Sequence, residues 1–324
     1  MHAHAAPVRW LAEARFPHVD VTSAGSVTFG DERPGRPLPA GLSDPVARGS
    51  WLITQRVDRQ VVSVWSDLSG YSLPAREGAD WAAQLTGALR AMCEPDPRLT
   101  VLATVPLQDP VAAAAAVSGL RGVPGVPGDP GVPGDPGVPG VVIGTRAGGR
   151  ELDDAAFTPF WEAADEAGAV VFLHAGFGSA RRRYADFGLM NGLGRIEDST
   201  VTLARLLYAG IPARYPGLKL LVANGGGAVP YVLGRLVRNH LLDPARTRDP
   251  LESFALVYFD SVLSDSVALE FLVAKAGADH VLLGSDYPFG IGDPAPRETV
   301  LRARLTLAER ELILGRTAAV LFPG

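Results

Sequence analysis

The sequence is poor in cysteine, lysine and long apolar runs. Cys93 is the one cysteine among 324 residues, which excludes an internal disulfide and a zinc site built on cysteines. The net charge is −5 and the lysines are Lys219 and Lys275, so the basic excess typical of nucleic-acid binding is missing. No apolar run reaches the roughly 18 residues of a membrane span, and the start lacks the charged segment and apolar core of a signal peptide. We therefore expect a cytoplasmic protein that binds neither nucleic acid nor membranes.

What the chain does contain, from residue 98 onward, is an alternation of short apolar runs with longer helical patterns. The runs are Leu99 to Val105, Val141 to Gly144, Val170 to His174, Leu218 to Ala223, Leu256 to Asp260 and His280 to Asp286, and the helical patterns are Asp153 to Ala167, Ser199 to Ala209, Val229 to Asn239 and Val267 to Ala276. Continuous apolar strands between amphipathic helices predict a parallel sheet covered by helices. This many units favour an α/β fold of the (β/α)₈ TIM-barrel type over an open doubly wound sheet. We predict one domain over residues 1–324, because 47% hydrophobic residues can supply its core.

Two segments break this alternation. Residues 8–50 are rich in glycine, proline and polar residues, with strand-like pieces at Val19 to Thr22 and Ser26 to Phe29. We interpret them as a small flap inserted after the first strand. Residues 123–140 are tandem X-Pro-Gly triplets. A collagen helix also has glycine at every third position, but so short a run inside a globular pattern favours an expanded mobile loop, at the amino-terminal rim of the barrel and without a catalytic role.

Histidine and aspartate stand at the predicted carboxyl ends of barrel strands. His2 and His4 are two residues apart, so both point to the same face of a strand. His174 ends one apolar run and Asp286 ends another, where barrel active sites are built. Taken singly, each has an ordinary explanation: a solvated terminal histidine, a core histidine or a helix cap. Together they form a nitrogen and oxygen set suited to one divalent metal ion with an open coordination position.

Two further polar residues end apolar runs. Asn224 precedes Gly225, Gly226 and Gly227, whose flexibility lets the backbone come close to a ligand or to the next helix. Asn224 itself is either a site residue or the N-cap of that helix. Asp260 is a second carboxylate at a strand end, and we expect a structural role for it in preference to a catalytic one.

These residues lie in motifs that resemble the aminocarboxymuconate-semialdehyde decarboxylase group of the amidohydrolase superfamily. The similar blocks are Met1-His-Ala-His-Ala-Ala-Pro7, Val101-Leu-Ala-Thr-Val-Pro-Leu-Gln-Asp109, Glu151-Leu-Asp-Asp154, Leu173-His174, Gly225-Gly-Gly-Ala-Val-Pro-Tyr-Val-Leu-Gly-Arg235 and Leu283-Gly-Ser-Asp-Tyr-Pro-Phe289. The resemblance implies a TIM barrel with a small flap and one metal ion, most commonly zinc, on His2, His4, His174 and Asp286. It also implies that Arg36 binds a substrate carboxylate, and that Arg235 reaches the neighbouring active site across a homodimer interface.

The sequence departs from the family pattern at two places. The family has histidine before the three glycines, where it acts as a general base, and this chain has Asn224. An amide has no proton affinity near neutrality, so Asn224 cannot replace that base. The family also has a strand ahead of its first two histidines, whereas here only Met1 precedes them. We therefore expect a fraying first strand, an incomplete barrel seam and a natural start further upstream.

The leading functional hypothesis is a metal-dependent lyase that removes CO₂ from a small unsaturated or aromatic carboxylate, with Asn224 and Asp286 as catalytic residues. One alternative is a hydratase or hydrolase of a related oxo-dicarboxylate, because hydratases of the superfamily carry a similar glycine block. The other is a catalytically degenerate barrel that binds a metabolite or a partner without turnover, which Asn224 favours.

Overall fold

A computed structural model describes residues 2–22, 26–30, 37–120, 138–176 and 182–323. Its strands are β1 (His4–Ala5), β2 (Val19–Val21), β3 (Val27–Phe29), β4 (Gln60–Val64), β5 (Leu99–Val101), β6 (Ala103–Thr104), β7 (Gly140–Ile143), β8 (Arg146–Ala147), β9 (Arg150–Glu151), β10 (Val170–Leu173), β11 (Lys219–Val222), β12 (Tyr258–Asp260) and β13 (Val281–Leu282). Most follow the predicted apolar runs. Some are shorter than the runs, as are β10 and β13, because the residues at their carboxyl ends leave the sheet to enter loops.

The parallel strands form a closed ring. One sheet has the order β1-β4-β5 and the other the order β13-β12-β11-β10-β7-β6. The two are continuous at Leu102, whose N–H donates to Val62 O at 2.9 Å. The ring closes between β13 and β1, because His4 N donates to Tyr287 O at 2.7 Å and Asp286 N donates to His2 O at 2.8 Å. Since β5 and β6 are consecutive parts of one strand, the ring has the eight strands of the predicted TIM barrel.

The expectation that the first strand frays was wrong. His4 and Ala5 pair with Ser63 and Val64 of β4 on one side, and Ala3 bridges Tyr287 on the other. Strand β1 therefore has a neighbour on each edge. His2 and His4 are each only 1% exposed, so both are fixed in the interior.

The helices cover the outside of the ring. They are α1 (Val8–Glu13), α2 (Pro45–Gln55), α3 (Ala75–Cys93), α4 (Pro110–Ser118), α5 (Thr158–Glu166), α6 (Arg195–Ala209), α7 (Ile211–Arg214), α8 (Val229–Leu242), α9 (Pro250–Phe254), α10 (Ser266–Ala276), α11 (Pro296–Arg302), α12 (Leu307–Glu311) and α13 (Thr317–Leu321). Several begin at an aspartate that accepts a hydrogen bond from the first turn, as Asp44 does from Ala47 N and Asp265 from Ala268 N. Among the described residues, no helix is both long and apolar enough to span a membrane.

The barrel strands alternate between two cores. Val142, Phe172 and Leu221 are partners in register across β7, β10 and β11, and they point into the barrel. The residues before them along each strand belong to the core between the strands and the helices. This period of two places every second side chain inside the ring. The barrel interior is therefore filled, and a ligand has room only at its ends.

The flap after β1 is built from α1 and the antiparallel hairpin β2–β3, in which Val19 pairs with Phe29. Trp10 and Phe16 pack on Trp81 of α3, with ring centroids 5.4 and 5.2 Å away. Helix α2 begins at Pro45, inside the predicted range 8–50, so these bounds and the single domain over 1–324 stay predictions. Of the X-Pro-Gly segment 123–140, residues 123–137 lie outside the described residues.

Candidate metal centre and active-site cavity

Four side chains from three parts of the ring converge at its carboxyl end. They are His2 and His4 at β1, His174 after β10 and Asp286 after β13, and each offers one ligand atom within 4.8 Å of the others. The ring centroids of His2 and His4 lie 4.9 and 4.7 Å from that of His174. His2 and Asp286 are 284 positions apart in the sequence. The barrel thus brings together residues that the sequence predicted to lie at strand ends.

The open nitrogens of this cluster suit a metal ion. His2 Nε2, His4 Nε2 and His174 Nδ1 are buried, and none has a hydrogen-bond partner within the described part of the chain. Asp286 Oδ1 lies 3.3 Å from His2 Nε2 and 3.2 Å from His4 Nε2. Buried polar atoms without partners are costly, and a divalent cation coordinated by these atoms would remove that cost. Three imidazoles and one carboxylate fit a single divalent ion.

The pKa shifts of His4, His174 and Asp286 favour the same conclusion. Burial lowers the pKa of His4, and burial together with the neighbouring histidines lowers the pKa of His174 well below its usual value. Burial alone would raise the pKa of Asp286, but the charge of His2 outweighs it and holds that pKa below its usual range. Neutral imidazole and ionised carboxylate are the forms in which these groups bind metal.

Asp260 orients His2 by contacting Nδ1, the ring nitrogen that does not face Asp286. Its Oδ2 lies 2.5 Å from His2 Nδ1, while its Oδ1 accepts hydrogen bonds from Gly225 N and Val262 N. Burial lowers the pKa of His2, but Asp260 and then Asp286 outweigh burial and raise it to about 9, so a metal ion would have to displace the proton from His2 Nε2. A carboxylate on the far nitrogen of a metal-binding histidine fixes its tautomer and ring orientation. The expected structural role of Asp260 is therefore a positioning role within the site.

A cavity of about 340 Å³ opens above the cluster. His4, His174 and Asp286 form its floor, and Trp65 and Phe289 supply aromatic surface. The other lining residues are Asn191, Gly192, Arg195, Ile196, Asn224, Val262, Leu263, Ser264, Gly290 and Ile291. The size is that of a pocket for a small organic molecule. Arg195 and Asn191 were not predicted from the sequence.

Asn224 lines this cavity and is followed by the glycine turn. The three glycines have φ between 59° and 78°, in the region that favours glycine. A Cβ at Gly225 would lie 2.7 Å from Leu263, and one at Gly226 would lie 2.6 Å from Phe259. The glycines at positions 225 and 226 therefore allow close packing against β12 and the loop after it, which is neither the ligand nor the next helix suggested by the sequence. That Asn224 occupies the position of the family's base stays a prediction.

The two predicted substrate arginines are not among the described residues that line the cavity. Arg36 lies outside the described residues. Arg235 is exposed on α8 of the same chain. Its role across a homodimer interface stays a prediction.

Comparison with known proteins gives the same family. The family model described as amidohydrolase matches residues 60–324. This chain belongs to the amidohydrolase family. The amidohydrolase is 27% identical over 271 residues to a 2-amino-3-carboxymuconate-6-semialdehyde decarboxylase of Dictyostelium discoideum, covering 82% of this chain and 72% of that protein. It is 33% identical over 171 residues to a 6-methylsalicylic acid decarboxylase of Penicillium expansum, covering 51% of each chain.

A solved structure of a relative has the same fold. A dihydroxybenzoic acid decarboxylase of Polaromonas sp. JS666, crystallised with manganese and the inhibitor 2-nitroresorcinol, superposes on the amidohydrolase with a TM-score of 0.76. The two are 19% identical, over 87% of each chain. The predicted TIM barrel is confirmed.

Proposed function

We propose that this amidohydrolase is a metal-dependent carboxy-lyase that releases CO₂ from a small aromatic or unsaturated carboxylate without oxidising it. The observation that carries the proposal is the cluster of His2, His4, His174 and Asp286 at the floor of a cavity sized for such a molecule. Support comes from relatives in sequence, which decarboxylate an aminocarboxymuconate semialdehyde and 6-methylsalicylic acid.

The four cluster residues would hold one divalent ion, and we propose zinc because of the three imidazole donors. When bound, the ion supplies Lewis-acid polarisation of the substrate. Asp260 keeps His2 Nε2 turned towards Asp286 and the rest of the cluster by holding Nδ1. Manganese in a related structure makes the identity of the ion a matter for measurement.

The reaction breaks the bond between the carboxyl carbon and the substrate carbon. CO₂ leaves, the electron pair stays on the substrate carbon, and that carbon takes up a proton. We assign Asp286 a catalytic role beside the metal, because its ionised carboxylate lines the cavity and can orient the water that supplies the proton. Asn224 orients the substrate through its amide and moves no proton. Arg36 and, from a partner subunit in a homodimer, Arg235 would bind carboxylates as bidentate forks.

Two other functions make different predictions. A hydratase or hydrolase of an oxo-dicarboxylate would use the same cluster on a different substrate. A degenerate barrel that binds without turnover is favoured by one observation, which is that Asn224 provides no base in the cavity.

Labelled substrates separate these functions. The zinc-loaded protein is incubated with 6-methylsalicylate and 2,6-dihydroxybenzoate, each carrying ¹³C in the carboxyl group. We expect ¹³CO₂ and the corresponding decarboxylated phenol, with both lost in His174→Ala. Addition of water without carbon loss would support the hydratase. Bound metal without turnover of either acid, or of 2-amino-3-carboxymuconate-6-semialdehyde, would support the degenerate barrel.

A further inference from the structure

Arg195 lies across the mouth of the barrel. Its Nη1 donates to Ala175 O at 2.7 Å and to Ser66 Oγ at 3.2 Å, and its Nη2 lies 3.6 Å from Asp67 Oδ1. Ser66 and Asp67 follow β4, whereas Ala175 lies beyond β10. Because β5, β6 and β7 separate those strands in the ring, a guanidinium that contacts both must lie over the barrel opening.

This position puts a fixed positive charge beside the metal centre. Arg195 lines the same cavity as His174 and Asp286, and its side chain is only 12% exposed. Like charges at short range repel most strongly where water is excluded. Asp67, 3.6 Å from Nη2, offsets part of the Arg195 charge, and Asp286 supplies negative charge within the cluster. An anionic ligand in the cavity would be attracted by Arg195 and by a bound divalent ion at once.

The backbone before Arg195 has an unusual form. Residues Met190–Gly194 make a π-helical turn that leads directly into α6. Turns of this kind are rare in proteins, and those that occur are often found at functional sites. The wide turn brings Asn191 into the cavity lining together with Arg195. An amide and a guanidinium thus face the same space.

Aromatic surface connects the arginine to the metal centre. Trp65 precedes Ser66, which Arg195 contacts, and its ring lies 5.7 Å from that of Phe289. Phe289 in turn lies 5.4 Å from His4. A flat ring bound against these side chains can reach both charges with one carboxylate.

We propose that Arg195 binds the carboxylate of a planar aromatic acid, whose ring contacts Trp65 and Phe289. This inference rests on the proposed function, since it names the substrate class of the same cavity and the residue that selects it. The carboxylate lies between the Arg195 guanidinium and the metal-binding cluster of three histidines and Asp286. Each chain then contributes Arg195 to its own cavity, in addition to Arg36 and independently of Arg235 from a partner subunit.

A purely structural Arg195 would behave differently. It would tie α6 to the ends of β4 and β10, and its loss would lower stability. Such a loss would change the binding of charged and uncharged ligands alike. Selectivity for charge is therefore the decisive measurement.

The test compares salicylate with salicylamide, which has the same shape and no negative charge. Dissociation constants are measured by titration calorimetry on zinc-loaded protein. We expect the native protein to bind salicylate more tightly, and Arg195→Gln to weaken salicylate binding by about 10- to 100-fold, as for loss of a hydrogen bond to a charged group. Salicylamide binding and zinc content should stay within about threefold, the scatter usual for such contributions. The matched control is Arg205→Gln on the same helix, whose guanidinium is 46% exposed and pairs with Asp153.

The proposal is overturned if native protein binds neither ligand, or if Arg195→Gln weakens both equally or leaves both unchanged. If that variant does not fold, Arg195→Lys keeps the charge without the fork, and a selective loss of salicylate binding supports the proposal equally. The two proposals can fail separately. If Arg195→Gln selectively loses salicylate binding but the native protein releases no CO₂, the role of Arg195 is supported and the lyase is refuted. If the native protein releases CO₂ but Arg195→Gln binds salicylate as tightly as before, the lyase is supported and the role of Arg195 is refuted.

Discussion

The barrel seam, where β13 meets β1, and the turn after β11 face the same cavity but are built differently. At the seam, other groups hold the metal-binding residues in place. Asp260 fixes His2 Nδ1, and Arg48 donates to His4 O at 2.5 Å. In the turn after β11, the Asn224 side chain has no hydrogen bond to any other described residue. Only its backbone position is fixed, by the glycines that follow.

This difference separates two parts of the chemistry. The metal end is preorganised by buried groups, so its geometry is set before any ligand arrives. The end at Asn224 depends on a side chain open to the cavity, where one substitution changes what the site can do. Variants at the two ends should therefore separate metal binding from turnover.

Removal of a metal-binding side chain should have the largest effect. We expect about one zinc ion per chain in the native protein, as for a single site of four ligands, and none in His174→Ala or Asp286→Ala. Mass spectrometry with an inductively coupled plasma measures this directly. The control is His280→Ala, because His280 stacks on Tyr258 and lies outside the cluster. A His174→Ala protein with full zinc content would refute the metal centre.

At the other end, Asn224→His should restore a base. We expect the rate of CO₂ release to rise by about 10² to 10⁴, the usual contribution of general acid–base catalysis, with zinc content unchanged. The rate should depend on pH in the range where histidine titrates. Asn224→Gln is the matched control, since it lengthens the side chain without adding proton affinity. A rate unchanged by histidine would show that this reaction needs no base at position 224.

The sequence was sufficient to predict the ring and the cluster, for a physical reason. Strand ends of a parallel barrel meet at one rim, so polar residues that end apolar runs must lie close together. His174 and Asp286 were found in this way, although long loops and helices separate them. The resemblance assigned Asn224 to the position of a base, and the structure places it in the cavity.

Sequence reasoning missed how Asp260 acts and missed Arg195 altogether, because both act through contacts that no local pattern encodes. The partner of Asp260 is 258 positions away, so nothing near Asp260 in the sequence indicates that it orients a histidine. Arg195 was missed because the predicted helix began at Ser199, whereas α6 begins four residues earlier, directly after the π-helical turn. Periodicity of 3.6 residues does not detect such a turn.

Asp260→Asn tests the preorganisation of the seam with a smaller effect. The amide oxygen of the asparagine can still accept hydrogen bonds from Gly225 N and Val262 N. The negative charge of the carboxylate that faces His2 Nδ1 is lost. We expect zinc affinity to fall by about 10- to 100-fold, as for other partners of metal-binding histidines. Competition with a chelator measures the affinity, and circular dichroism checks the fold. An affinity equal to that of the native protein would mean that His2 is oriented without Asp260.

The smallest effect should come from Arg48→Lys, which probes how the seam is held from the helix side. Arg48 is buried on α2, donates to Gln60 Oε1 and His4 O, and stacks 4.9 Å from the ring centre of Tyr287. Lysine keeps the charge but loses the planar fork that makes these contacts together. We expect the free energy of unfolding, measured in urea, to fall by about 1.5 to 3 kcal/mol, which is the contribution of one hydrogen bond to a charged group. Arg56→Lys, at an exposed position at the end of the same helix, should leave the free energy of unfolding unchanged. If Arg48→Lys matched this control, the contacts of Arg48 would contribute nothing to the rigidity of the metal end.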